Sequence, residues 1–220
     1  MKIMNKIKAI LKGFITPDHL LKRFILVLFG CTMMAFCLSW LNLTNLGTDP
    51  YTNMNLAFAE RLHMSFGNWQ ALFNTSLFVI VLIFGSDNNF GFGTLVNMLL
   101  IGYEVDFFSS IWAKVLPAGL FDSLMVRWGV MLVGVVVFVF AVAVYMNAGL
   151  GTSPYDALPY ITNEKLFPKL SFKVIRMAYD FAAILIGVLL NGKLFAITII
   201  MALLLGTVIQ YVAKKIEKLF

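Results

Sequence analysis

Four ionisable side chains stand inside otherwise apolar stretches: Glu104 and Asp106 in "LLIGYEVDFF", and Arg176 and Asp180 in "KVIRMAYDFA". Arg176 and Asp180 are one helical turn apart, so guanidinium and carboxylate can meet on one face. With Arg first, the pair has the weaker orientation, and local helix stability is a poor reason for it. A guanidinium offers a two-pronged donor to a carboxylate or phosphate on a solute. The adjacent acid can modulate that contact or carry a proton. An internal ion pair joining two helices is the plain alternative. Gln70 and Asn74 in "QALFN" repeat the four-residue spacing without charge. Glu104 and Asp106 read either as acids near the outer interface or as groups that couple to a proton or cation.

A second pattern is a repeated phrase, "LGTDPY" at 46–51 and "LGTSPY" at 150–155. Proline suits the first position of a helix, and Asp49 or Ser153 suits the cap before it. Each phrase therefore predicts a glycine turn followed by a short helix. The first runs from Pro50 to about Leu62, and the second from Pro154 to about Asn163 with an interruption at Pro159. Neither can cross a bilayer, so each lies at the interface or dips in and returns. If they dip in, their free N–H groups form sites for ions or substrate, with Thr48, Thr152, Ser153 and Tyr155 at hand. Asp49 already neutralises the first helix, whereas Ser153 leaves the second uncharged and the better anion receptor.

Signals for other chemistry are missing. His19 and His63 stand near span ends without a partner at metal-ligand spacing. Cys31 and Cys37 are six apart and face different sides of a helix. No nucleophile elbow, phosphate loop or dinucleotide fingerprint occurs. The expectation is a protein that is not an enzyme and holds no cofactor or metal.

The elements that carry these residues are membrane helices. The chain is 60% hydrophobic and 13% charged, with mean hydropathy +0.88. A crossing needs about 20 mostly apolar residues, which predicts six spans at 24–43, 67–85, 90–115, 128–145, 172–190 and 194–212. The net charge of +6 reflects Lys and Arg at the ends and in short loops, which fits a lipid surface and argues against nucleic acid. Counting those residues places both termini in the cytoplasm. Residues 1–22 read as a basic amphipathic in-plane helix, with Thr16 and Pro17 restarting the helix, and 213–220 as a basic tail.

The repeat reaches beyond the phrase. At the same offset Arg23 meets Arg127, Gly30 meets Gly134, Thr94 meets Thr198 and Gly102 meets Gly206. The halves, 23–115 and 127–212, hold three spans each. An odd number inverts the second half relative to the first, which is the architecture of many secondary transporters.

"LGTDPYTNMNLAFAERLHMSFGNWQALFN", "GFGTLVNMLLIGYEVDFF", "AGLGTSPYDAL" and "SFKVIRMAYDFAAILIG" together resemble the small bacterial integral membrane proteins typified by YczE, related to the YitT-type proteins. The resemblance covers nearly all of 23–212 and implies a permease-like architecture. It places a basic residue followed four later by an acidic one at Arg176 and Asp180. Asp49 stands where that family leads one to expect a small or apolar residue. Together these readings describe an all-α protein of the bacterial cytoplasmic membrane, a small secondary transporter or exporter for an anionic or zwitterionic solute. A homodimer is allowed. The rival is a non-transporting scaffold or accessory subunit.

Overall fold

A computed structural model describes residues 19–84, 91–192 and 194–219. Residues 1–18 of the expected N-terminal helix, with Thr16 and Pro17, the expected span ends at 85 and 90, and residue 220 of the expected tail lie outside them, and residues 20–22 belong to the first spanning helix instead. Among the described residues the chain forms helices α1 (Leu20–Thr44), α2 (Pro50–Arg61), α3 (Phe66–Phe84), α4 (Phe92–Val115), α5 (Leu124–Asn147), α6 (Pro154–Lys165), α7 (Phe172–Leu189) and α8 (Ala196–Ile216), with short 3₁₀ turns at Leu120–Asp122 and Glu217–Leu219. Five of them, α1, α3, α4, α5 and α8, are long and apolar enough to cross a membrane. The other expected span, α7, has 18 residues but carries Lys173, Arg176 and Asp180. Those three charges give it one polar side. Leu132, Val133 and Val136 of α5 are more than half exposed, an apolar outer face that suits lipid and would be a liability in water.

α1 and α5 pack along one another. Small residues set how closely they approach. A Cβ on Gly30 would stand 3.1 Å from Ala141 O, and one on Gly134 would stand 2.8 Å from Leu41 Cδ2. Arg127, at the start of α5, donates from Nε to Thr44 O and from Nη2 to Asn45 O. The start of α5 is thereby tied to the end of α1, and the two helices run antiparallel. Cys31 and Cys37 are buried free thiols. Beside them, the Trp112 indole donates to Ser39 Oγ at 2.9 Å.

Both repeated phrases fold as their chemistry dictates. Gly47 and Gly151 have φ of 105° and 101°, the left-handed region that glycine enters at little cost. The Thr52 N–H donates to Asp49 Oδ1 at 3.0 Å, and the Asp156 N–H donates to Ser153 Oγ at 3.1 Å. Proline follows each cap, and α2 and α6 each run 12 residues. One expectation fails here. Pro159 does not interrupt α6, which continues to Lys165. The proline removes one backbone donor, but its ring is fully buried where α6 packs on α3 and α7, and its φ is already helical.

The short helices dip into the bundle. The Tyr51 hydroxyl donates to Asn74 Oδ1 at 2.6 Å, and the Tyr155 hydroxyl donates to Asp180 Oδ1 at 3.2 Å. Asn74 and Asp180 lie about 12 Å along α3 and α7 from their first residues, at 1.5 Å per residue. Each short helix therefore begins inside the protein and returns toward the end from which its chain entered. Each packs on both α3 and α7. The turns meet the starts of other helices too. A Cβ on Gly47 would press on Thr198, Ile197 and Phe195 at the start of α8. Reciprocally, the Gly93 N–H at the start of α4 donates to Leu150 O at 2.8 Å.

Candidate functional site

The starts of α2 and α6 meet. Tyr51 and Tyr155 have ring centroids 4.3 Å apart at an interplanar angle of 31°. Two positive helix ends are thus brought together in the interior, and acids gather around them. Arg176 on α7 forms an ion pair with Asp156 of α6 through Nη1. Its Nε donates to Asp180 Oδ2 at 3.3 Å, and its Cζ lies 5.2 Å from the Tyr155 ring centre. Asp156 also accepts from the Ser153 hydroxyl at 2.6 Å. One guanidinium therefore bridges two carboxylates across two helices while resting on an aromatic face.

The structure assigns the expected residues unequally. Arg176, Asp180, Ser153 and Tyr155 belong to one connected cluster. Asn74 on α3 accepts from the Tyr51 hydroxyl as Asp180 on α7 accepts from that of Tyr155. Gln70 turns away toward α4, where a Cβ on Gly102 would be 2.9 Å from its Oε1. Asp106 accepts the Gly67 N–H at 2.8 Å and so caps the start of α3. Glu104 lies apart, accepting from Thr32 Oγ1 at 2.9 Å.

Asp156 is the residue that the sequence reading missed. Ser153-x-x-Asp156 is a capping-box spacing and was the available signal. Its consequence is a correction: the second short helix is not an uncharged anion receptor. A carboxylate already stands in its first turn, as Asp49 does at the first.

Two cavities adjoin these helix starts. One, of about 320 Å³, is bounded by Leu41, Asn42, Thr48, Asn53, Leu56 and Glu60, among others. The other, of about 360 Å³, is bounded by Thr152, Asp156, Tyr160, Lys173, Arg176 and Asp180, among others. Thr152 Oγ1 is buried there with no hydrogen-bond partner among the described residues. The first cavity lies at the Thr44 end of α1 and the second at the Asn147 end of α5. Because α1 and α5 are antiparallel and tied through Arg127, these are opposite ends of the molecule.

A model described as a family of unknown function (DUF6198) matches residues 21–214. The chain belongs to that family. Among relatives, it is 26% identical over 198 residues to an "Uncharacterized protein" of Haemophilus influenzae, covering 90% of this chain and 86% of the relative. It is also 28% identical over 174 residues to the "Uncharacterized membrane protein YczE" of Bacillus subtilis, covering 76% and 73%. No solved structure matches. The resemblance to YczE-type proteins is borne out, and with five apolar spanning helices the chain is a multi-pass membrane protein.

Proposed function

We propose that this protein is a small secondary transporter of the bacterial cytoplasmic membrane that moves a zwitterionic solute. In this reading it is built from two inverted three-span halves, with α7 as the sixth span and both termini cytoplasmic. One observation carries the reading. Leu41, Asn42, Thr48 and Leu56 border the first cavity, and the residues at the repeat offset, Tyr145, Met146, Thr152 and Tyr160, border the second. Equivalent surfaces thus open at opposite ends, with the tilted contact between the Tyr51 and Tyr155 rings joining the two helix starts. A site between mirrored gates is what alternating access requires.

The charges favour a zwitterion. Asp156 and Asp180 balance Lys173 and Arg176 on the wall of the second cavity. A pure anion would have to displace two carboxylates from Arg176, whereas a zwitterion brings its own counter-charge to the carboxylate it displaces. The chain is then neither an enzyme nor a cofactor protein. A scaffold would have no need of two matching hollows.

The test uses Thr48→Cys and Thr152→Cys, one at a time, with Cys31 and Cys37 replaced by Ala. A membrane-impermeant maleimide is applied to vesicles of each orientation. Labelling of the two cysteines from opposite sides, with protection by one of a panel of amino acids and betaines, is expected. Labelling from a single side would end the inverted reading. Opposite-side labelling that no solute in the panel slows would leave the scaffold reading ahead.

A further inference from the structure

Two acids on α4 were candidates for coupling, and the structure separates them. Asp106 is committed to the α3 cap. Glu104 is not. It is the thirteenth residue of α4, and Thr32, its hydrogen-bond partner, is the thirteenth of α1. Both therefore lie about 18 Å from the first residue of a long apolar helix, well inside α1 and α4. Glu104 forms no salt bridge among the described residues. Its Oε2 is buried without a hydrogen-bond partner among them.

Among the described residues, the surroundings of Glu104 offer no counter-ion. On α1 the titratable neighbour is the Cys31 thiol, and the basic residues Lys22 and Arg23 sit more than two turns away at the start of the helix. Packed on the other side, α3 contains no titratable side chain. On α4 itself Tyr103 and Asp106 are adjacent, and Lys114 is about 15 Å further along. An ionised carboxylate here would sit in hydrocarbon with one hydroxyl for company, and such groups mark proton relays in membrane proteins. A bound proton removes that charge and gives Oε2 a neutral form.

We propose that Glu104 is a proton-binding site within the membrane-spanning helices, separate from the Arg176 cluster, whose loading and release of a proton drives the transport cycle. The link to transport rests on the reading above, whereas the proton site stands on its own geometry. Thr32 donates the one hydrogen bond that Glu104 receives among the described residues.

The experiment treats the full-length protein in lipid vesicles with the hydrophobic reagent dicyclohexylcarbodiimide, which attacks protonated carboxyls within membranes. Adducts are mapped by mass spectrometry from about pH 5 to about pH 9. One adduct at Glu104 is expected, falling about tenfold per pH unit above its midpoint, absent in Glu104→Gln and retained in Asp106→Asn. Thr32→Val, which removes that hydrogen bond, should move the midpoint. No adduct at Glu104 at low pH, or equal labelling throughout the range in both wild type and Thr32→Val, would overturn the site. A pH-dependent adduct together with one-sided labelling of Thr48→Cys and Thr152→Cys would uphold the proton site and sink only the transport reading.

Discussion

Replacing Arg176 with Ala strands two carboxylates, and they are unequal. The Asp156 side chain is 41% exposed and the Asp180 side chain 9%. The Asp156 bond lines the second cavity and, being partly exposed, contributes about 0–1 kcal/mol. Asp180 is left buried with the Tyr155 hydroxyl as its remaining donor, and stranding a buried charge costs about 3–5 kcal/mol. At about 2–4 °C per kcal/mol for a chain of this length, Arg176→Ala should lower Tm by roughly 6–20 °C. Adding Asp180→Ala should return most of that loss, because the acid left behind is the solvated one. Asp156→Asn alone should cost less than about 4 °C. Arg176→Lys keeps the charge but not the fork, so it holds one carboxylate at a time and falls between wild type and Arg176→Ala. Tryptophan fluorescence during heating of the protein in nanodiscs reads all four. If the double variant stays as unstable as Arg176→Ala, or Asp156→Asn costs as much, the assignment of the buried energy to Asp180 is wrong.

Asp106→Ala removes the acceptor of the Gly67 N–H and should cost about 0.5–2 kcal/mol in the same melting assay. The two glycine classes should separate as well. A Cβ on Gly93 would stand 2.8 Å from Leu150 O, a backbone atom that cannot swing aside, so Gly93→Ala should destabilise by about 1–3 kcal/mol. Gly129 has nothing within 4 Å of that position, and Gly129→Ala should stabilise α5 by about 0.5–1 kcal/mol through helix propensity alone.

Much of the architecture was legible because lipid imposes a simple rule. Uncharged runs must become helices, and the expected spans fall within four residues of the described helix ends. The capped turns were legible because Gly-Thr-x-Pro leaves the backbone few choices. Pro159 was misread because a local preference was weighed without the packing that overrides it. Asp156 was overlooked for the opposite reason. Its role at the cap is local, but its pairing with Arg176 spans two helices, and nothing in the spacing of one helix reveals the register of another.

The same limit explains why two acids on α4 looked alike. Glu104 and Asp106 are two residues apart, which turns their side chains about 200° around the helix, so they face different neighbours. One meets the start of α3, where unpaired N–H groups want an acceptor. The other meets the middle of α1, where a threonine hydroxyl is the available donor. The two acids are alike in charge and hydropathy, and only the identity of the facing helix separates a cap from a carboxyl that faces a lone threonine hydroxyl. In a membrane protein the chemistry of an acid is set less by its own helix than by which end or middle of a neighbour it touches.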